Sequence, residues 1–165
     1  MAVYLSEIEI DECCLRMIEY IENNHPQYSS RMWFMYLYGC RIGELFFNKI
    51  GYDGINDKVI IEAQKGNNVR INNNIDFRTP ALVEEINLTY DNFWINKRNL
   101  QRIIEVSKPY RNIYCGEKAI GAHLFRHNWV RKQIRDGKQW ATIDEMLGYT
   151  KQTVQDTYAI SQIYY

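Results

Sequence analysis

Residues 121–133 read GAHLFRHNWVRKQ, two histidines and an arginine within five positions followed by two more cations, Arg131 and Lys132. No proline interrupts the run and Gly137 follows it, so it reads as a helix from about Gly121 to Asp136 with Gly137 as its C-terminal stop. On such a helix His123 and Arg126 lie three apart and His123 and His127 four apart, so all three project from neighbouring positions on one face. Histidines at that spacing suit a metal, although Leu124 stands where the HExxH type of metal helix has a glutamate. Alternatively His123 and Arg126 grip one phosphate, the arginine by paired hydrogen bonds and the histidine by a single bond or by proton transfer. A third reading is a helix whose polar residues cap, pair or solvate. Trp129, Val130 and Ile134 on the same run read as core.

Outward from this helix the chain is mostly helical. LSEIEIDECCLRMIEYIENN begins with Ser6 and Glu9 in capping-box spacing, and Ile10, Cys14, Ile18 and Ile21 recur on one face. Pro26 restarts the chain. SSRMWFMYLYGC is apolar on all sides, which predicts a buried second helix, and RIGELFF is expected to continue helically after Gly39. KVIIEA and NVRI are β-type runs separated by QKGN, a hairpin with Lys65 and Gly66 at its tip and the one convincing sheet signal. Pro80 opens a short helix. The stretch from Asp91 has helical periodicity, with Phe93, Ile95, Leu100, Ile103 and Ile104 as expected core and Pro109 beyond its end. WATIDEML is a short helix ended by Gly148, and the last segment reads as a turn or two of helix and a tail. The expected fold class is mainly α with a small antiparallel β-hairpin or sheet (α+β).

With 165 residues, 46% of them apolar, the chain can bury roughly two thirds of its unfolded surface without disulfides or a metal. No CxxC spacing occurs among Cys13, Cys14, Cys40 and Cys115, so reduced thiols are expected. The longest uncharged apolar run, Met32 to Cys40, is too short to span a membrane, and the N-terminus lacks a signal-peptide pattern, so a soluble, intracellular protein without a membrane partner is expected. A formal net charge of zero hides an asymmetry. Residues 1–25 carry six acids against Arg16, whereas 96–138 carry eleven Lys or Arg against three acids, a local balance of 11 − 3 = +8 that suits a phosphate backbone.

Two further segments carry chemistry. YGCRIGEL places Arg41 three residues before Glu44, directly after a buried helix, where an arginine needs anionic partners; pairing with Glu44 is one way to supply them. Lys65 on a hairpin tip is either a solvated turn residue or a cation able to reach a leaving oxygen. In chain order the sequence offers Arg41 in GCRIGEL, Lys65 in AQKGNNVRI, His123 and Arg126 in HLFRH, Leu147–Tyr149 as LGY, and Tyr158 in QDTYAI. This order resembles the catalytic domain of the tyrosine recombinases, the phage-integrase type of site-specific DNA recombinase, whose pattern is arginine then glutamate, a hairpin lysine, HxxRH, LGH or LGW, and a tyrosine nine residues on. Here 158 − 149 is nine.

The resemblance, which runs from about Ser6 to Tyr158, implies a metal-free and cofactor-free cleavage of double-stranded DNA. Tyr158 is then the nucleophile, selected among 13 tyrosines by spacing alone. Arg41 and Arg126 bracket the scissile phosphate, Lys65 protonates the leaving 5′ oxygen, His123 accepts the tyrosine proton, and Glu44 holds Arg41 from behind. Arg131, Lys132 and Arg135 become candidates for contacts to the DNA backbone. Tyr149 stands where the family usually has histidine or tryptophan; it can donate a hydrogen bond to a phosphate oxygen but does not become a cation at neutral pH. Phe125 replaces a usual leucine. The expectation is a single catalytic domain over residues 1–165, without the N-terminal core-binding domain of the family, working as a dimer or tetramer on DNA with the C-terminal tail docked either on a neighbouring subunit or on its own domain. Open alternatives are a topoisomerase-like relaxing activity and a degenerate, non-enzymatic DNA-binding or regulatory role.

Overall fold

The computed structural model describes residues 1–62, 69–73 and 75–165. Helix α1, Glu7–Asn24, starts where the capping box placed it: the Ser6 hydroxyl accepts from the Glu9 N–H at 3.2 Å, and the Ser6 N–H donates to the Glu9 carboxylate at 3.1 Å. Its buried stripe is Ile10, Cys13, Cys14, Met17, Ile18 and Ile21. A 3-10 turn at Pro26–Tyr28 leads into α2, Ser29–Tyr38, which packs against α1 and against two later helices, α3 (Thr79–Leu88) and α5 (His123–Arg135). That contact on several sides is why its sequence is apolar all round. Arg31 is buried on α2, yet its guanidinium donates to the carbonyls of Leu45 and Ile86 and to the Thr89 hydroxyl, so it ties α2 to the end of α3.

Helix α4, Lys97–Ser107, lies against α1 and begins later than the periodicity suggests. Asn96 caps it by accepting from the Asn99 N–H at 2.9 Å, which leaves Phe93 outside the helix and 79% exposed, a correction to its reading as core. RIGELFF likewise yields only one 3-10 turn, Ile42–Leu45, because Glu44 reaches back to cap the Arg41 N–H at 2.9 Å and closes the turn on itself.

Strands β1 (Gly51–Asp53), β2 (Lys58–Glu62) and β3 (Val69–Asn72) form an antiparallel sheet in that order, with Ile60 opposite Ile71 and Val59 opposite Asn72. The hairpin tip carrying Lys65 lies outside the described residues. A second three-stranded sheet, unforeseen in the sequence, joins β4 (Ile113–Cys115), β5 (Lys118–Ile120) and β6 (Ile163–Tyr164) in the order β5-β4-β6. Its strands hold three, three and two residues, too short for alternation to register. The C-terminal tail therefore packs on its own domain: Leu5 donates to the Ile163 carbonyl at 2.8 Å, Ile163 is buried, and Tyr165 stacks on Tyr110 at 3.8 Å.

The main core is filled from α1, α2, α3, α4, the inner side of β2 and the start of α5. A smaller core of Trp129, Val130, Ile143, Leu147, Val154 and Tyr158 joins the far side of α5 to α6 (Trp140–Leu147) and to a five-residue turn with π-helical hydrogen bonding, Val154–Tyr158. Gly39 is the joint between the two cores. It ends α2 in the left-handed region (φ 63°), and a Cβ there would lie 2.7–2.8 Å from the Trp129 ring. Gly39→Ala is expected to lower stability by about 2–4 kcal/mol, combining left-handed strain with overpacking; a fall in the urea midpoint at constant slope measures it.

Candidate active site

Arg126 points inward from α5 and is fully buried, a position an arginine tolerates only with its donors satisfied. Nε donates to the Gly39 carbonyl at 2.7 Å, Nη2 to Glu44 Oε1 at 3.1 Å, and Nη1 to the Tyr149 hydroxyl at 2.8 Å. Burial works against its charge, but Tyr149 and Glu44 more than offset this and hold its pKa above the ordinary arginine value. Glu44 is buried as well, and the same oxygen accepts from the Arg41 N–H and from Arg70 Nη1 at 3.4 Å. Glu44 thus meets Arg41 through the backbone and grips the guanidinium of Arg126.

Arg70 was missed by sequence reasoning. In NVRI the usual rule turns Val69 and Ile71 inward, yet here they are exposed while Arg70 and Asn72 face the core. Arg70 donates to the carbonyls of Met146 at 2.7 Å and Tyr38 at 2.6 Å besides Glu44, so it pins β3 and α6 to the end of α2. The strand's alternation contained the signal, but with the faces reversed.

Arg41, half-buried, donates through Nη2 to the Tyr149 hydroxyl at 2.8 Å. Tyr149 follows Gly148, whose left-handed backbone (φ 78°) ends α6 and turns the ring towards the two arginines. Its hydroxyl lies 3.0 Å from that of Tyr158, which in turn lies 2.8 Å from His123 Nε2. Arg41, His123, Arg126, Tyr149 and Tyr158, drawn from four separate segments, converge on one point. Lys65 lies outside the described residues. A groove lined by Arg41, Gln101, Glu105, Ala122 and His123 opens beside this cluster.

The turn that carries Tyr158 is held at both ends. Asp144 on α6 accepts from the Val154 N–H at 2.9 Å, and beyond Tyr158 the Ser161 hydroxyl donates to the Tyr158 carbonyl at 3.1 Å. Ser161 also meets His127 Nδ1 at 3.2 Å and receives Arg131 Nη2 at 3.0 Å. His127 packs edge-on against the Tyr158 ring, with centroids 4.7 Å apart. Tyr158 is 2% exposed, and burial pushes its hydroxyl well above the ordinary phenol range, although Arg126 and Arg41 pull the other way. It rests protonated, with His123 Nε2 within hydrogen-bond reach of its oxygen.

The three candidates for backbone contact all have partners within the chain. Arg131 is half-buried and bonded to Ser161. Lys132 pairs with Asp11 at 2.5 Å and meets the Tyr36 hydroxyl at 2.6 Å, and Arg135 pairs with Glu7 at 3.1 Å. The basic face of α5 is thereby matched to the acidic face of α1, so the opposite charge balances of the two segments meet inside one domain.

Two consequences can be measured. Glu44→Ala leaves two buried guanidiniums facing each other and is expected to cost about 3–5 kcal/mol of stability, read by urea unfolding. Burial, together with the neighbouring His123, Arg131 and Arg126, pushes His127 down from 6.5 to about 3. Between those values the unfolded chain binds a proton that the folded one refuses, so stability is full above 6.5 and falls with acidification by up to about 1.4 kcal/mol per pH unit. Unfolding curves between about pH 7 and 5 are expected to show this fall, and His127→Asn to flatten it.

No protein-family model and no curated protein matches the sequence. Solved structures do. The crystal structure of XerA recombinase superimposes with a TM-score of 0.62 at 19% identity, over 96% of this chain and 60% of that one. The XerH site-specific recombinase, solved in a post-cleavage complex with its palindromic difH substrate, superimposes with a TM-score of 0.57 at 17% identity, over 94% of this chain and 48% of that one. The chain thus spans less than two thirds of either neighbour, and among its described residues no helix is long and apolar enough to cross a membrane. Its mainly helical architecture with two small antiparallel sheets is the fold of the tyrosine recombinases XerA and XerH.

Proposed function

We propose that this chain is the catalytic domain of a tyrosine recombinase that cuts and rejoins double-stranded DNA through a 3′-phosphotyrosyl intermediate. The observation that carries the reading is the convergence of Arg41 and Arg126 on the Tyr149 hydroxyl, 3.0 Å from the Tyr158 hydroxyl, which in turn meets His123 Nε2 at 2.8 Å. XerH, whose fold the chain shares, was captured on its DNA substrate after cleavage.

A phosphodiester resists attack because its non-bridging oxygens repel the nucleophile and its leaving alkoxide is poor. Arg41 Nη2 and Arg126 Nη1 aim at a common point, so they stabilise the charge that grows on a phosphate oxygen in the transition state. Before substrate arrives the Glu44 carboxylate holds the Arg126 guanidinium directly and the Arg41 main chain through its N–H. His123 Nε2 takes the proton as the Tyr158 oxygen attacks phosphorus. The bond from phosphorus to the 5′ oxygen breaks, and Lys65 returns a proton to that oxygen. The phosphotyrosyl ester conserves the energy of the broken bond, so a 5′ hydroxyl from another strand reverses the step without ATP. Two guanidiniums and a lysine supply the positive charge that a metal would otherwise bring. Exchange between sites requires several subunits on DNA, and since the tail of this chain closes its own second sheet, joining subunits through that tail would require its release.

With DNA in the presence of EDTA, quenched in SDS, the chain is expected to form a covalent protein–DNA adduct that Tyr158→Phe abolishes. Arg41→Ala is expected to slow adduct formation by about 10²–10³-fold. An adduct that survives Tyr158→Phe, or one that depends on a divalent cation, overturns the reading.

A further inference from the structure

The Tyr149 hydroxyl occupies the position where an anion belongs. Arg41 Nη2 and Arg126 Nη1 reach its oxygen at 2.8 Å each, and these are the donors the two arginines direct into the site. Both guanidiniums also face the Tyr149 ring, at 5.3 and 5.6 Å from its centroid. A phenol oxygen has two lone pairs and one proton. With both lone pairs engaged by arginines, its proton goes to Tyr158 at 3.0 Å, and the Tyr158 proton then goes to His123 Nε2 at 2.8 Å. The direction of every bond in the cluster follows from the first two.

We infer that Tyr149 is an internal competitor for the phosphate: its hydroxyl fills the seat between Arg41 and Arg126 in the resting protein and must swing out before a phosphate oxygen can enter. This inference rests on the proposed reading of the site as one that takes a phosphodiester. Two oxygens cannot share a point 2.8 Å from both guanidiniums. An anionic oxygen takes stronger, charge-assisted bonds than a neutral phenol, so it wins the seat, but at an affinity reduced by the contacts it replaces. The side chain has room to leave, since Tyr149 is half-exposed beside an exposed loop, while its N–H stays bonded to the Asp144 carbonyl at 2.8 Å, so the motion is a rotation of the ring rather than of the backbone. Its departure also removes the donor from the Tyr158 oxygen and frees a lone pair for attack. Arrival of the phosphate and release of the nucleophile are then one event.

The test is calorimetric titration of the full chain with tungstate, a tetrahedral oxyanion, comparing the natural protein with Tyr149→Phe and Tyr149→Trp. Phenylalanine removes the competing oxygen. Tryptophan keeps a donor for the anion but has no acceptor for the arginines, so either variant reports even if the other folds poorly. Both are expected to bind tungstate roughly tenfold more tightly than the natural protein. Equal or tighter binding by the natural protein overturns the inference and leaves the oxyanion site standing, with Tyr149 as a ligand to the anion. Absence of tungstate binding in all three proteins overturns the site itself and the inference with it.

Discussion

The carboxylate of Glu44 is the interaction on which the rest of the arrangement depends. One buried oxygen accepts from the Arg41 N–H, from Arg126 and from Arg70, and so gathers the turn after α2, helix α5 and strand β3 onto a single atom. Ion pairs taken out of water seldom add stability in proportion to their attraction, because each charge first loses its hydration. Two guanidiniums, those of Arg126 and Arg70, reach this one carboxylate, and a third, that of Arg41, meets Arg126 at the Tyr149 hydroxyl. Burying the guanidiniums of Arg70 and Arg126 is a cost that these contacts offset. Arg70 and Arg126 thereby each fasten a separate element to the turn after α2.

Around this anchor the protein builds a continuous line of polar contacts from the core to the groove. Arg126 hands its inner face to Glu44 and its outer face to Tyr149; Tyr149 touches Tyr158; Tyr158 touches His123 at the opening. Behind the line, Asp144 and Ser161 hold the two ends of the turn that carries Tyr158, and His127 closes over the ring. The Tyr158 ring is thus held from several sides. Its hydroxyl is buried and engaged by both Tyr149 and His123.

Much of this was legible in the residues. The capping box fixed the start of α1, the all-round apolar run marked α2 as central, and the spacing of His123 to Arg126 and of Tyr149 to Tyr158 picked out the members of the site. Less legible was the second sheet, whose strands are two or three residues long and pair the C-terminal end of the chain with a strand near residue 114, with Tyr4 bridged to Tyr164 beside it. Phe93 was misplaced because helical periodicity continued past the cap at Asn96, and the basic face of α5 looked free because its acidic partners lie more than a hundred residues earlier, on α1.

What the sequence alone determined were the local elements and the chemical types available, because helix caps, turn glycines and side-chain periodicity act over a few residues. Only the tertiary structure decided which charges are spent on the fold and which are left for function. Arg70 turned inward against its strand's apolar alternation, Lys132 and Arg135 were taken up by Asp11 and Glu7, and Tyr149 came to rest between two arginines. Partners of a charge are set by distance in space, and in a folded chain that distance is independent of separation along it.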